Sequence, residues 1–206
     1  MEIDRIAFEN EILDKLSGKV FLLQDLDSKR KVIFQAFLDT YNSPQSHKLI
    51  KKAGLEVDAF FAEFMSYGII EEFLADPSVE DIMISYLSPI FVHKTGEGIV
   101  KTKRSFPSRE ELDLLIRKLI IFSGRVNIKK INNVELSDIK GRVNIIYSPF
   151  GPQITITRAK EKPLSIIDLI KNGTLNYELA AQFWLYVEGL GVKPANIIIA
   201  GGPGSG

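Results

Sequence analysis

The chain has 206 residues, 26 of them Lys or Arg and 26 Asp or Glu, with 45% hydrophobic residues and no cysteine. That length allows one large domain or two small ones, and the composition is that of a globular protein with real cores rather than a disordered one. Disulfides, thiolate metal sites and cysteine catalysis are excluded, and zero net charge gives the whole chain no bias towards nucleic acid or membrane.

The N-terminus, MEIDRIAFENEILDKL, is acidic where a signal peptide is basic. No run approaches the roughly 18 apolar residues needed to span a bilayer, so a soluble, cytoplasmic protein is expected. Charge is unevenly spread. Residues 1–100 carry 10 basic and 17 acidic side chains, residues 101–142 carry 11 and 5, and the remainder 5 and 4. The basic middle reads as a solvated surface, as a phosphate-binding region or as a docking face for an acidic partner.

In chain order, Phe34, Phe37, Leu38 and Tyr41, then Phe60, Phe61, Phe64 and Met65, recur at helical spacing, with Asn42-Ser43-Pro44 as a turn between them. A helical region over 1–62 follows from this. Ala75-Asp76-Pro77-Ser78 stops the helical pattern. Ile82–Ile84 and Pro89–Val92 then read as strands, and Thr95–Gly98 as a hairpin turn before Ile99-Val100. Ser108 with Glu111 forms a capping box for a helix carrying Leu112, Leu115, Ile116 and Leu119 to about Phe122. Extended segments return at Val143–Tyr147 and Ile154–Thr157, so an α+β domain is expected over 63–160. From Lys162-Pro163 two short helices follow, the second capped by Asn176 and carrying Leu179, Ala180, Phe183, Trp184 and Val187, with Trp184 expected in a core. Asn172-Gly173-Thr174 between them is read as a turn rather than a glycosylation site. Asn196–Ala200 then reads as a strand buried on both faces of a parallel sheet.

That run leads into Gly201-Gly202-Pro203-Gly204-Ser205-Gly206, the first part of a G-x-x-x-x-G-K-[ST] phosphate loop whose next residue is expected to be Lys. Its glycines permit positive φ and remove Cβ, so consecutive backbone N–H groups can wrap a phosphate. A flexible Gly-Ser tail is the plain alternative, against which stands the isoleucine triplet immediately upstream. Lacking the Lys, the Ser/Thr, the Walker B acid and a general base, these 206 residues are expected to be inactive alone, with no catalytic residue of their own. His47 and His93 give no metal-ligand spacing, and Glu71, Glu72 and Asp76 no acid/base partner, so no metal site is expected.

Two blocks carry a family resemblance. The first is Tyr67–Ile82, YGIIEEFLADPSVEDI; the second runs from Pro163-Leu164-Ser165 through Asp168-Leu169-Ile170, Gly173-Thr174 and Ala180–Trp184 to the glycine loop. Over about residues 66–206 the chain resembles the type II and type IV secretion and type IV pilus ATPases, most closely their archaeal members, including the archaellum motor ATPase. The resemblance implies three parts. These are a helical partner-docking region (1–62), whose first 60 residues match nothing in the family and fit its variable N-terminal ends, a small PAS-like α/β domain (63–160), and a linker, helix and first strand of a RecA-like P-loop domain (161–206).

It also implies a full-length homo-hexamer using ATP and Mg2+, neither held tightly by these residues alone. The protein would be cytoplasmic and peripheral to the membrane, its N-terminal region meeting an inner-membrane platform protein or a cytoplasmic regulator. In such proteins arginines of the N-terminal domain reach the phosphates, and the matching positions here are Arg142 and Arg158, with Arg125 a weaker candidate. Family members commonly read Ile-Arg-Lys where this chain has Thr157-Arg158-Ala159-Lys160, and an exposed salt bridge is the plain alternative for each arginine. Nucleotide contacts would then be Arg142, Arg158 and Gly201, Gly202, Pro203, Gly204, Ser205 and Gly206. A RecA-like nucleic-acid translocase or helicase-like motor is the alternative from another class. The near-neutral charge and the lack of aromatics among the basic residues count against it, and no nucleic-acid partner is expected. A ligand-sensing PAS-like module over 75–160 is a third reading, but no cofactor-binding residue stands out.

Overall fold

The computed structural model describes residues 5–21, 24–43, 56–159 and 164–202. The chain divides into two compact units, Met1–Ala159 and Lys160–Gly206. The first unit is α+β. Helices α1 (Arg5–Leu16), α2 (Leu26–Tyr41), α3 (Val57–Met65) and α4 (Glu71–Ala75) precede strands β1 (Val79–Ser85), β2 (Phe91–Lys94) and β3 (Gly98–Lys101). Helix α5 (Arg109–Phe122) then leads to β4 (Ile131–Leu136), β5 (Gly141–Ser148) and β6 (Gly151–Arg158).

All six strands form one sheet in the order β3-β2-β1-β6-β5-β4, with every neighbouring pair antiparallel. It consists of two three-stranded meanders, β1–β3 and β4–β6, sewn together along β1 and β6. Strand alternation sends one face inward. Across it runs a row of Val92, Ile82, Ile156, Val143 and Val134, all buried, each worth about 1.5–3 kcal/mol of transfer from water.

Helix α5 begins at Ser108, whose hydroxyl accepts from Glu111 N at 3.3 Å. It is buried nearly all round, from Leu112 to Phe122, because α1 packs on it and β4 contacts it as well. Helix α2, capped by Asp25 Oδ1 accepting from Ser28 N at 2.8 Å, packs in turn on α1.

Among the described residues, helices α1 to α3 are not a bundle of their own. Phe8, Phe37, Phe60, Phe61 and Phe64 form a cluster of ring contacts, and Phe64 meets Phe122 of α5 edge-on at 6.1 Å. The helical and sheet regions therefore share one core. The expected turn at Asn42-Ser43-Pro44 lies partly, and His47 wholly, outside the described residues.

The second unit holds α6 (Ile166–Lys171) and α7 (Tyr177–Glu188). Ser165 and Asp168 form a full capping box, and Asn176 Oδ1 accepts from Leu179 N at 2.8 Å. Two expectations are corrected here. Asn196–Ala200 is not a strand, and Ile198 is 94% exposed; a strand buried on both faces needs neighbours to take its N–H and C=O groups, and none is present among the described residues. Trp184 is 65% exposed rather than core. Ala180 is the single buried residue among those described in this unit, so most of the apolar side of α7 stays exposed.

Candidate functional site

The outward face of the sheet carries the basic residue of interest. A row across it runs His93, Asp81, Thr157, Arg142 and Glu135 from β2 to β4. Thr157 Oγ1 donates to Asp81 Oδ1 at 2.7 Å, and His93 Nδ1 lies 3.3 Å from Glu80 Oε2 and 3.6 Å from Asp81 Oδ2. Arg142 Nη2 is 3.6 Å from Glu135 Oε1, outside hydrogen-bonding distance, with both side chains 73% exposed. A pair of that kind contributes at most about 1 kcal/mol, so the guanidinium is free to exchange it for a stronger anion. A phosphate oxygen pair matches its planar fork.

Arg158 is placed differently. Opposite Gly141 and one residue beyond Thr157, it belongs by alternation to the other side of the sheet. Its Nη1 donates to the carbonyls of Asp76 at 2.6 Å and Val79 at 3.2 Å, fastening the turn that starts β1. Arg142 and Arg158 are thus neighbours along the ladder but not partners on one face. The Asp76 side chain completes the same turn, accepting from Ser78 N at 2.9 Å, Ser78 Oγ at 2.6 Å and Lys94 Nζ at 2.8 Å. Those donors, Lys94 first, hold its carboxyl well below the usual range.

Arg125 follows Gly124 (φ +81°) at the end of α5 and is exposed. Gly201 and Gly202 are exposed and outside any helix or strand. Pro203, Gly204, Ser205 and Gly206 lie outside the described residues.

Sequence reasoning missed a buried charge network. Lys118, inside the apolar run of α5, is 3% exposed, and its Nζ donates to the carbonyls of Phe64 (2.7 Å) and Ser66 (3.1 Å). It also lies 2.5 Å from Glu9 Oε2, an ion pair whose angles fall outside those of a regular hydrogen bond. Arg5 takes the other oxygen of Glu9 at 2.7 Å and reaches Glu63 at 2.5 Å. Burial pulls the Lys118 ammonium below its usual value, and Glu9 partly opposes this. The available signal was a lysine where helical spacing demands an apolar residue.

The network floors a cleft of about 1000 Å3 also lined by Tyr67, Glu72 and Arg104. Glu72 accepts from Arg104 at 2.5 Å and Glu71 from Tyr67 N at 2.6 Å, so both acids have partners. Held by two carbonyls and the Glu9 carboxylate, Lys118 is committed to the fold rather than to a ligand.

No protein-family model matches the chain. Two uncharacterized proteins of Methanocaldococcus jannaschii are similar to it. One is 33% identical over 153 residues, which is 71% of this chain and 21% of that protein. The other is 33% identical over 133 residues, 61% of this chain and 24% of that protein. The chain therefore spans less than a quarter of the length of the curated relatives it matches. Among solved structures, the VirB11 ATPase from the Brucella suis type IV secretion system in complex with sulphate aligns with a TM-score of 0.42 at 14% identity, covering 59% of this chain and 40% of that one. Among the described residues no helix is long and apolar enough to cross a membrane, and no group of three or more His, Asp or Glu side chains could hold a metal ion.

Proposed function

We propose that the chain is the regulatory and ring-forming N-terminal region of a hexameric ATPase that powers protein secretion or the assembly of type IV pilus or archaellum filaments. The observation that carries this reading is the order of its parts. An α+β unit with a core of its own is followed by two capped helices, then by an exposed run of three isoleucines leading into GGPGSG. In this reading the first unit corresponds to the helical docking region and PAS-like domain, and the second to the start of a RecA-like domain. Much longer relatives fit a module of a larger machine.

ATP and Mg2+ belong to the full-length protein in this reading. Arg142 is the arginine that this reading gives to a phosphate, because its guanidinium has only the exposed Glu135 at 3.6 Å. Arg158 acts by fastening the start of β1. Helices α1 to α3 meet a membrane platform protein or a cytoplasmic regulator, which places the machine at the cytoplasmic face of a membrane.

The test is ATPase activity of a chain extended along its natural reading frame beyond Gly206, beside the 206-residue form and the Arg142→Ala variant. The reading expects turnover from the extended chain alone, lost in Arg142→Ala without a change in melting temperature. A frame that continues without Lys and Ser/Thr, or an extended chain inert under assembling conditions, would overturn it.

A further inference from the structure

A second cavity, of about 360 Å3, lies beside the first turns of α2. Ile33, Met65 and Phe122 give it an apolar wall, and Lys29, Ser137 and Asp138 a polar one. Lys29 is 6% exposed, yet among the described residues its ammonium has neither a hydrogen bond nor an ion pair. Glu9 Oε2 is the sealed side-chain atom without a hydrogen bond among those described. Lys29 Nζ is therefore not sealed, and the little surface the residue keeps includes the ammonium. An ammonium at a cavity that no described acceptor of the protein meets favours an anion beside it.

The surroundings select among anions. Asp138 Oδ2 already accepts from Tyr67 OH at 2.7 Å, and Arg30 is drawn over the Phe61 ring at 5.8 Å. One unpaired ammonium, the Ser137 hydroxyl and an apolar wall suit a single negative charge on an apolar body. A phosphate dianion would meet Asp27 and Asp138 on the same lining and demand more donors than are offered.

We propose that this cavity binds a small monocarboxylate with an apolar body, its carboxylate on Lys29 Nζ and Ser137 Oγ and its body against Ile33, Met65 and Phe122. The occupant ties α2, the ends of α3 and α5 and the β4–β5 turn together. The site is independent of the nucleotide reading given above.

The test uses the 206-residue protein with hexanoate as the probe, followed by melting temperature and by the NMR signal of the Lys29 side chain. Hexanoate should raise the melting temperature saturably and shift the Lys29 signal. Hexylammonium, of the same shape and opposite charge, and inorganic phosphate should do neither. Lys29→Met should lose about tenfold or more in affinity, as for a charged hydrogen bond. Lys29→Arg should keep binding, and Ser137→Ala, at an exposed turn, should weaken it without risk to folding. The proposal falls if hexanoate gives no saturable change, if hexylammonium or phosphate binds as well, or if both Lys29→Met and Ser137→Ala bind hexanoate like the parent.

Discussion

Lys118 donates to two backbone carbonyls at the end of α3 and pairs with the Glu9 carboxylate, and its removal therefore does two kinds of damage. Lys118→Met leaves Glu9 buried with only Arg5 and should cost about 3–5 kcal/mol in urea unfolding. The double variant Glu9→Leu/Lys118→Met removes the stranded carboxylate but not the two unmet carbonyls. It should recover part of the loss and stop short of the parent, because each orphaned group costs about 1–3 kcal/mol. A double variant less stable than Lys118→Met would contradict this account.

Asp76 makes an acid-side prediction. Its folded pKa is depressed, so the carboxylate contributes stability that is present above the ordinary carboxylate range and lost as pH falls through the lower folded value. Asp76→Asn should melt below the parent at pH 7, with the gap closing as pH drops below about 4. A gap that is constant with pH would assign the effect to packing instead.

Among the elements, the β5–β6 turn is tightly constrained. Gly151 has φ +108°, and a Cβ there would stand 2.6 Å from Tyr86 Cγ, while Tyr86 itself has φ +51° and donates its N–H to Pro152 O at 2.9 Å. Gly151→Ala therefore combines backbone strain with a clash and should cost about 2–4 kcal/mol. Gly96, with φ +80° and nothing within 4 Å of a Cβ, isolates the strain, and Gly96→Ala should cost about 1–2 kcal/mol. Equal costs at the two sites would rule out the clash.

The elements also show what the sequence could and could not reveal. The Thr95–Gly98 turn and the caps at Ser108, Ser165 and Asn176 are local chemistry, legible because each partner lies within four residues. Strand β4 escaped because Asn132 and Asn133 lower its strand signal; in the fold the buried Asn132 side chain bonds the backbone of Lys129 instead. The Ile197–Ile199 run misled because its pattern presumes neighbours that the described residues do not contain. Arg142 was legible as a candidate, but its separation from Arg158 required knowing the register of β5 against β6. The Glu9–Lys118 pair joins distant segments, and no local pattern announces it.

For the whole molecule, the core cluster of the first unit runs from Phe8 to Ile156. A chain ending at Ala159 should therefore melt within about 2 °C of the 206-residue protein by calorimetry. A much lower midpoint would mean that the second unit contributes to the first.

The seam between the two meanders has a consequence in time. Asp81 and Thr157 face each other across it although 76 residues separate them, whereas each meander is closed by local turns. Closing so long a loop is a search that local contacts do not shorten. Refolding of the chain ending at Ala159 should accordingly take milliseconds to seconds, and microsecond relaxation in a temperature-jump experiment would refute this. Until β1 finds β6, each meander presents a bare inner edge, so the sheet's central line is also the place where a nascent chain is most open to pairing with the wrong strand.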